Sequence, residues 1–338
     1  MAHKRLGKSS IAFDNPPSIT ASSSVAGVKE GEGPLRDCYD EILNDDLYEE
    51  KTWEKAESKL QKSAVYHLLR KADMKADAVD YIFAGDLLNQ CTGSHYAMKD
   101  MGIPFFGLYG ACSTMAESSL LAAMAIDGGF ADNCIAITSS HFCSSEKQYR
   151  FPLEYGGQRP PTSQWTVTGS GALMISSHGN GPYITHATTG KIIDMGISDA
   201  NNMGAAMAPA AVDTITAHFK DTGFSPSDYD MIITGDLAQI GSDITRDLLC
   251  SSGFDIAKNY FDCGNLVFDA QAQDVHSGGS GCGCSAIVFC GHIMDKIKKG
   301  ELERVLFVGT GALMSPLNLL QGENIPGIAH AITVQRSL

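Results

Sequence analysis

The residue with the strongest chemical signature is Cys112, in the stretch FFGLYGACSTMAESSL from Phe105 to Leu120. It lies between a short apolar stretch and the first turn of a predicted helix. Thr114 and Glu117 have the spacing of a capping box, so we expect free helix amides and the positive end of the helix dipole near Cys112. That setting lowers the pKa of a thiol and also attracts anions. A merely structural cysteine at a crowded junction would have the same local sequence, so partners elsewhere in the chain must decide between the two.

The elements around Cys112 occur twice along the chain. A helix from near Trp53 to the RKADM segment, then strands within 79–88, 104–110, 133–140 and 168–177, form the first set. A helix at 204–220 and strands within 231–241 and 304–315 repeat the plan, and YIFAGDLLNQC has its counterpart in MIITGDLAQIG. This repetition predicts an internal duplication with two α/β halves, 1–178 and 179–338, the first carrying an inserted irregular loop at 141–165.

The composition excludes several classes of function. A net charge of -14 argues against nucleic-acid binding and against direct electrostatic docking on an anionic membrane. We find no signal-peptide pattern and no run of about 18 apolar residues that would span a membrane. The ten cysteines are expected to be reduced thiols. Cys282 and Cys284 lack further ligands in range, so no metal site is predicted.

At this level of detail the whole chain resembles the thiolase-like superfamily, whose duplicated α/β halves pack mixed sheets around buried central helices. Within it, the chain is most similar to the stage V sporulation protein AD family of spore-forming bacteria. The stretches YGACSTMAESSLLAAMAIDGG, SSHFCSSEKQYRFPLEYGGQRPPTSQW and QDVHSGGSGCGCSAIVFCGHI carry that resemblance. It implies a protein that handles dipicolinate (pyridine-2,6-dicarboxylate) in the developing spore.

The resemblance also assigns expected neighbours to Cys112, which occupies the position of the acyl-accepting cysteine in thiolase-like enzymes. His276, followed by Ser277, resembles the histidine of a Gly-His-Pro neck, although the proline is missing. Asp236 and Gln239 stand where such enzymes place an oxyanion-hole or base-positioning group. A carboxylate beside a developing oxyanion would raise the barrier of a condensation. We therefore expect ligand binding at Cys112, Asp236, His276 and Ser277 rather than catalysis.

The 141–165 loop contains the residue types that a flat aromatic dicarboxylate requires. Arginine binds a carboxylate with two parallel hydrogen bonds, and aromatic side chains stack on a ring. The candidate ligand-binding residues in and just after the loop are His141, Tyr149, Arg150, Arg159, Gln164, Trp165 and Thr166. In the alternative interpretation an arginine pairs with Glu146 or Glu154, and the aromatic side chains only pack.

The resemblance and the composition of the loop therefore predict a non-catalytic binding protein for dipicolinate, free or as its calcium chelate, with no other cofactor, and the resemblance implies a homodimer. Its expected partners are the other proteins of the spore dipicolinate uptake system, and its expected location is peripheral, at the inner membrane of the developing spore. Two rival hypotheses stay open. One is an acyltransferase or condensing enzyme with Cys112 as nucleophile and His276 as base; the other is a scaffold of the membrane uptake complex.

Overall fold

Fifteen strands and eleven helices make up the framework of the computed structural model, which describes residues 3–149 and 158–338. The strands are β1 (Arg5–Leu6), β2 (Ser10–Ala12), β3 (Ser18–Ala26), β4 (Glu41–Ile42), β5 (Tyr81–Gly85), β6 (Phe105–Gly107), β7 (Asn133–Ser140), β8 (Trp165–Thr166), β9 (Gly169–Ser176), β10 (Tyr183–Thr188), β11 (Met231–Thr234), β12 (Tyr260–Asp262), β13 (Gly279–Ser280), β14 (Arg304–Ala312) and β15 (Gly327–Gln335). The helices are α1 (Val28–Gly31), α2 (Trp53–Ala72), α3 (Thr92–Met98), α4 (Thr114–Asp127), α5 (Phe142–Tyr149), α6 (Met203–Thr222), α7 (Ala238–Ser251), α8 (Cys263–Leu266), α9 (Cys282–Ile287), α10 (Met294–Lys299) and α11 (Pro316–Leu320). A π-helical segment at Val288–Ile293 joins α9 to α10.

The strand order demonstrates the duplication that the sequence predicts. Ten strands pair in the order β12-β11-β14-β15-β10-β3-β9-β7-β5-β6. From the centre of the sheet outward, the five strands of each half follow one order. The strand that comes first in the chain is innermost, and the fifth, fourth, second and third follow it outward. The halves meet at β10 and β3, which pair only at Tyr183 and Ser18. The short strands β8 and β13, one from each half, form a separate parallel pair.

Alternating side chains along the strands face two different helical layers. In β7, Ile135 and Ile137 pack with α2, whereas Cys134 and Ala136 join the central core around α4 and α9. The second half does the same with α6 on its outer face. This period of two produces five layers, helix–sheet–helix–sheet–helix, with α4 and the α9–α10 helix innermost.

The two central helices each lie against the opposite half as well as their own. A Cβ atom at Gly309 of β14 would lie 2.8 Å from the Ala116 side chain of α4. A Cβ atom at Gly171 of β9 would lie 2.4 Å from the carbonyl oxygen of Ala286 in α9. Glycine at these positions lets helix and strand approach closely, which brings the start of α4, and Cys112 with it, to the boundary between the halves.

Most predicted elements are confirmed, with one correction in the 141–165 loop. The α2 helix begins at Trp53 because the Thr52 side chain accepts a hydrogen bond from the Lys55 amide and caps it. The β7 strand spans 133–140, as predicted. Residues 142–149 were expected to be irregular but form α5. The buried side of this helix carries the polar residues Ser144 and Ser145. Contacts with the rest of the chain, and not hydrophobic periodicity, therefore determine which side of α5 is buried.

Candidate functional site

A cavity of about 220 Å³ lies beside Cys112 where the two halves meet. Its lining comprises Leu87, Cys112, Ser145, Glu146, Tyr149, Thr166, Ala200, Asn201, Met203, Ser280, Ala312 and Met314. Both halves contribute, and the wall combines apolar side chains with hydroxyl groups and one carboxylate. A protein cavity of about 150 Å³ accommodates benzene, so this one has room for a single substituted ring.

Cys112 is buried in a short 3₁₀ turn directly before α4. The predicted capping box is wrong: Ser113 is the N-cap residue, no side chain caps the helix, and the Thr114 hydroxyl donates to the Ala111 carbonyl instead. The expected lowering of the thiol pKa is also wrong. Burial raises the pKa of Cys112 well above its usual range, and the neighbouring carboxylate of Asp236 raises it further. The thiol is therefore held in its protonated, weakly nucleophilic form.

Asp236 follows β11 and is fully buried against Cys112. Its Oδ1 atom accepts a hydrogen bond from Thr310 Oγ1 at 2.8 Å. Its Oδ2 atom accepts from the Gly281 amide at 2.8 Å and from Ser280 Oγ at 3.2 Å. Burial raises the pKa of Asp236 to about 6, and these donors oppose that rise. Groups that would stabilise a substrate oxyanion are thus already occupied by a carboxylate of the chain itself.

A second buried carboxylate fixes the turn that carries Asp236. The Asp262 side chain accepts hydrogen bonds from the amides of Leu237 and Ala238, at 2.9 and 2.8 Å, and from Thr234 Oγ1 at 2.6 Å. Burial raises the pKa of Asp262 to about 7, opposed by the Thr234 hydrogen bond. Asp236 is consequently held in place by a preformed polar turn.

The α5 helix is anchored on one face by a buried acid. Ser144 Oγ donates to Glu57 at 2.6 Å, and Ser139 Oγ donates to the same carboxyl group at 3.1 Å. Burial and the nearby Asp86 carboxylate raise the pKa of Glu57 to about 8. This network orients the helix so that its next residues reach the cavity.

The other face of α5 supplies three cavity residues. Ser145 is 3% exposed, and its hydroxyl has no hydrogen-bond partner among the described residues. Glu146 lies 3.5 Å from the Arg159 guanidinium. The Tyr149 hydroxyl donates to the Leu87 carbonyl at 2.6 Å, and both residues line the cavity.

The predicted ligand groups Arg159 and Trp165 are largely engaged by the protein. The Trp165 ring stacks on Phe142 with centroids 4.0 Å apart and an interplanar angle of 8°. The Arg159 guanidinium lies 5.1 Å from the centre of the Trp165 ring and donates to the Gln164 carbonyl. Neither side chain lines the cavity, so the geometry follows the packing alternative, in which Arg159 pairs with Glu146.

Gln164 and Thr166 flank Trp165 and differ in their access to the cavity. Gln164 is buried, and its Nε2 atom donates to the carbonyls of Asp236 at 2.6 Å and Gly279 at 3.1 Å. It therefore ties the loop to the Asp236 turn. Thr166 lines the cavity, as its selection as a ligand-binding residue requires.

His141 lies fully buried outside the cavity lining, with both ring nitrogens hydrogen-bonded. Its Nδ1 atom accepts from the Cys143 amide at 3.2 Å, so Nε2 carries the proton and donates to the Asp46 carbonyl at 2.7 Å. Burial lowers the pKa of His141, which keeps the ring neutral. These contacts describe a structural histidine, not a ligand contact.

The Gly-rich neck does not bring His276 to Cys112. His276 is exposed and does not line the cavity. Ser277 is buried, where its carbonyl accepts from the Gln239 amide at 2.8 Å and its hydroxyl from the Ile240 amide at 3.4 Å. Gln239 bonds Asp243 on its own helix at 2.7 Å. A further candidate, Arg150, lies outside the described residues.

Comparison with known proteins identifies the family. The sequence model of the stage V sporulation protein AD family matches residues 7–335. Stage V sporulation protein AD of Bacillus subtilis (strain 168) is 44% identical over 334 residues, which cover 99% of this chain and 98% of that protein. The chain belongs to the stage V sporulation protein AD family.

Solved structures show that this family member has a thiolase-like fold. A cerulenin-bound OleA from Xanthomonas campestris superposes with a TM-score of 0.62 at 14% identity, covering 96% of this chain and 98% of that one. The 3-oxoacyl-[acyl-carrier-protein] synthase III of Aquifex aeolicus VF5 gives a TM-score of 0.58 at 11% identity, covering 94% and 99%. At such low identity the likeness concerns the fold alone.

In this stage V sporulation protein AD family member, several cavity residues carried no signal in the sequence. Ser145, Ser280, Met203 and Met314 are ordinary residue types on four separate segments. Only the position of Ser280, just before the second central helix as Cys112 is before the first, offered a hint. Within residues 3–149 and 158–338, no group of three or more His, Cys, Asp or Glu side chains is placed to hold a metal ion. None of the helices in that part of the chain is both long and apolar enough to cross a bilayer.

Proposed function

We propose that this sporulation protein binds dipicolinate, free or as its calcium chelate, in the cavity beside Cys112 and does not catalyse a reaction. The observation that carries the proposal is the pairing of a ring-sized cavity with a thiol that burial and the neighbouring Asp236 carboxylate keep protonated. Such a cleft keeps the room for a small molecule but lacks an activated nucleophile. The family resemblance supplies the identity of the ligand.

The lining supports a flat polar ligand. Tyr149 and Met314 provide apolar wall, and Ser145, Thr166 and Ser280 provide hydroxyl groups that either donate or accept hydrogen bonds. Glu146 is the one carboxylate among the described lining residues, and Arg159 offsets its charge. A calcium chelate would carry less negative charge into the cavity than the free dianion.

A calorimetric titration with dipicolinate, with and without calcium, tests the proposal. We expect saturable binding at one site per chain. Met314→Trp should fill the cavity and abolish binding, whereas the matched control Leu320→Trp, at a position 88% exposed, should leave it unchanged. Absence of binding under both conditions, or equal binding by both variants, would contradict the proposal and favour the scaffold hypothesis.

The acyltransferase hypothesis makes a separate prediction. It requires Cys112 to form a thioester and His276 to act as base, but His276 is exposed and outside the cavity lining. After incubation with short acyl thioesters, we expect intact-protein mass spectrometry to detect no adduct on Cys112. A stoichiometric adduct that disappears in Cys112→Ala would establish the enzyme instead.

We further propose a homodimer that associates at the inner membrane of the developing spore through other proteins of the dipicolinate uptake system. The edge strand β6 supports the dimer, since one of its sides pairs with no strand in the described part of the chain and it presents exposed Phe105 and Phe106. Tyr109, 45% exposed, extends this aromatic edge. An unpaired edge with exposed aromatic side chains favours pairing with a second chain.

A further inference from the structure

The N-terminus of α6 opens into the same cavity without a side-chain cap. Ala200, Asn201 and Met203 line the cavity at the start of this 20-residue helix. The N-cap residue is Asn202, whose side chain makes no capping hydrogen bond, and no acidic residue lies in the first turn.

The first amides of α6 have no acceptor in the part of the chain that is described. No hydrogen bond is donated there by the backbone of Met203, Gly204 or Ala205. The nearest upstream carboxylate, Asp199, accepts from the Asn201 amide and is thus committed to its own turn. Free first-turn amides at the positive end of a long helix attract a carboxylate.

Ser145 supplies an independent indication of a ligand in this cavity. Its hydroxyl is buried and lacks a hydrogen-bond partner among the described residues, although burying an unsatisfied hydroxyl group destabilises a protein. The Ser145 hydroxyl on α5 and the first amides of α6 therefore face one small cavity from opposite halves of the molecule. Both have hydrogen-bonding capacity that the described residues do not use.

We propose that the N-terminus of α6 and the Ser145 hydroxyl form a subsite for one ligand carboxylate. This subsite rests on the proposed function, because it assigns one of the two carboxylates of dipicolinate to helix amides rather than to arginine. It explains how an acidic protein binds an anion in a cavity whose described lining contains no lysine or arginine. Cys112 and Ser280 then face the remainder of the ligand.

Asn202→Asp tests the subsite by placing a carboxylate at the N-cap, where it would satisfy the free amides and repel an anion. We expect dipicolinate affinity to fall by about tenfold or more, while the thermal midpoint stays equal or rises because the helix gains a cap. Asn15→Asp makes the same charge change at an exposed position outside the cavity and should alter affinity less than about twofold. Ser145→Ala should also weaken binding.

A second measurement separates failure of the subsite from failure of the proposed function. Labelling with ¹⁵N-methionine allows the Met203 amide signal to be identified by its loss in Met203→Leu, and the protein is titrated with pyridine-2-carboxylate and with dipicolinate. A shift of the Met203 signal that is absent in Asn202→Asp supports the subsite, even if dipicolinate itself fails to bind. If dipicolinate binds with no Met203 shift and unchanged affinity in Asn202→Asp, the subsite is overturned and the proposed function stands. No Met203 response to either compound overturns the subsite as well.

Discussion

Replacing Asp236 with asparagine tests the argument that a buried carboxylate suppresses the reactivity of Cys112. The substitution keeps the shape of the side chain but removes its charge. Two unit charges about 4 Å apart at an effective dielectric constant near 20 interact by about 4 kcal/mol, so removing the carboxylate charge makes the Cys112 thiolate easier to form. Burial, the larger cause of the raised thiol pKa, remains in the variant. We therefore expect the Cys112 pKa to fall while staying above that of a free thiol.

The assay is the rate of carbamidomethylation by iodoacetamide at pH 8, followed by peptide mass mapping. The exposed Cys250 serves as an internal reference within each sample. In the wild-type protein Cys112 should react far more slowly than Cys250. Asp236→Asn should raise its rate by up to about 1000-fold, because about 4 kcal/mol less cost of ionisation increases the thiolate fraction by that factor. Asp243→Asn, at a position that does not line the cavity, is the matched control and should have no effect.

Two results would refute this reasoning. Equal alkylation rates of Cys112 in the wild-type protein and Asp236→Asn would show that the carboxylate does not control the thiol. Rapid alkylation of Cys112 in the wild-type protein would show that the thiol is already activated. Near-ultraviolet circular dichroism confirms that the variant keeps its tertiary packing, so that unfolding is not mistaken for activation.

Three further predictions address the surroundings of the site. His141→Ala should lower the free energy of unfolding in urea by about 1–3 kcal/mol, because the Asp46 carbonyl loses its donor. It should leave dipicolinate affinity unchanged. A loss of affinity without destabilisation, or an equal loss of stability in the exposed control His178→Ala, would contradict the structural role. Glu57 has a folded-state pKa of about 8, above its ordinary value near 4.5, so its contribution to stability is largest at low pH and declines as the pH rises from about 4.5 to 8. Glu57→Gln should reduce that decline. The prediction is wrong if urea unfolding shows the same loss of stability between pH 5 and pH 8 in both proteins. Phe106→Asp should convert a dimer to a monomer in light scattering at equal concentration; an unchanged mass would remove β6 as the interface.

The fold was predictable because its signals are local and repeated. The run of β-branched and apolar residues at 133–140 indicated β7, and the paired Gly-Asp-Leu turns at 85–87 and 235–237 revealed the duplication. The order in which the strands pair was not predicted from the sequence and is seen only in the folded sheet. Hydrophobic periodicity needs no knowledge of distant partners.

The site was predictable only in part because its properties arise from contacts between distant segments. The sequence pointed to Cys112 and Asp236, but the direction of the thiol pKa shift depends on their contact and on burial, which local sequence does not reveal. The loop drew attention to Trp165 through its residue type, whereas Phe142 covers that ring in the folded chain. Ser145 escaped notice because a serine acquires meaning only when its hydroxyl is buried without a partner.

The crossed packing of the two central helices has a consequence for how the molecule comes apart. The duplicated halves are topological copies, yet α4 rests against Gly309 of the second half and α9 against Gly171 of the first. Separating the halves would strip both central helices of part of their packing, and it would break the pairing of β10 with β3 at Tyr183 and Ser18 and with β2 at residues 186–188. Neither copy retains a complete core of its own. The two copies therefore form a single cooperative domain, and the cavity lies at the boundary where they pack together.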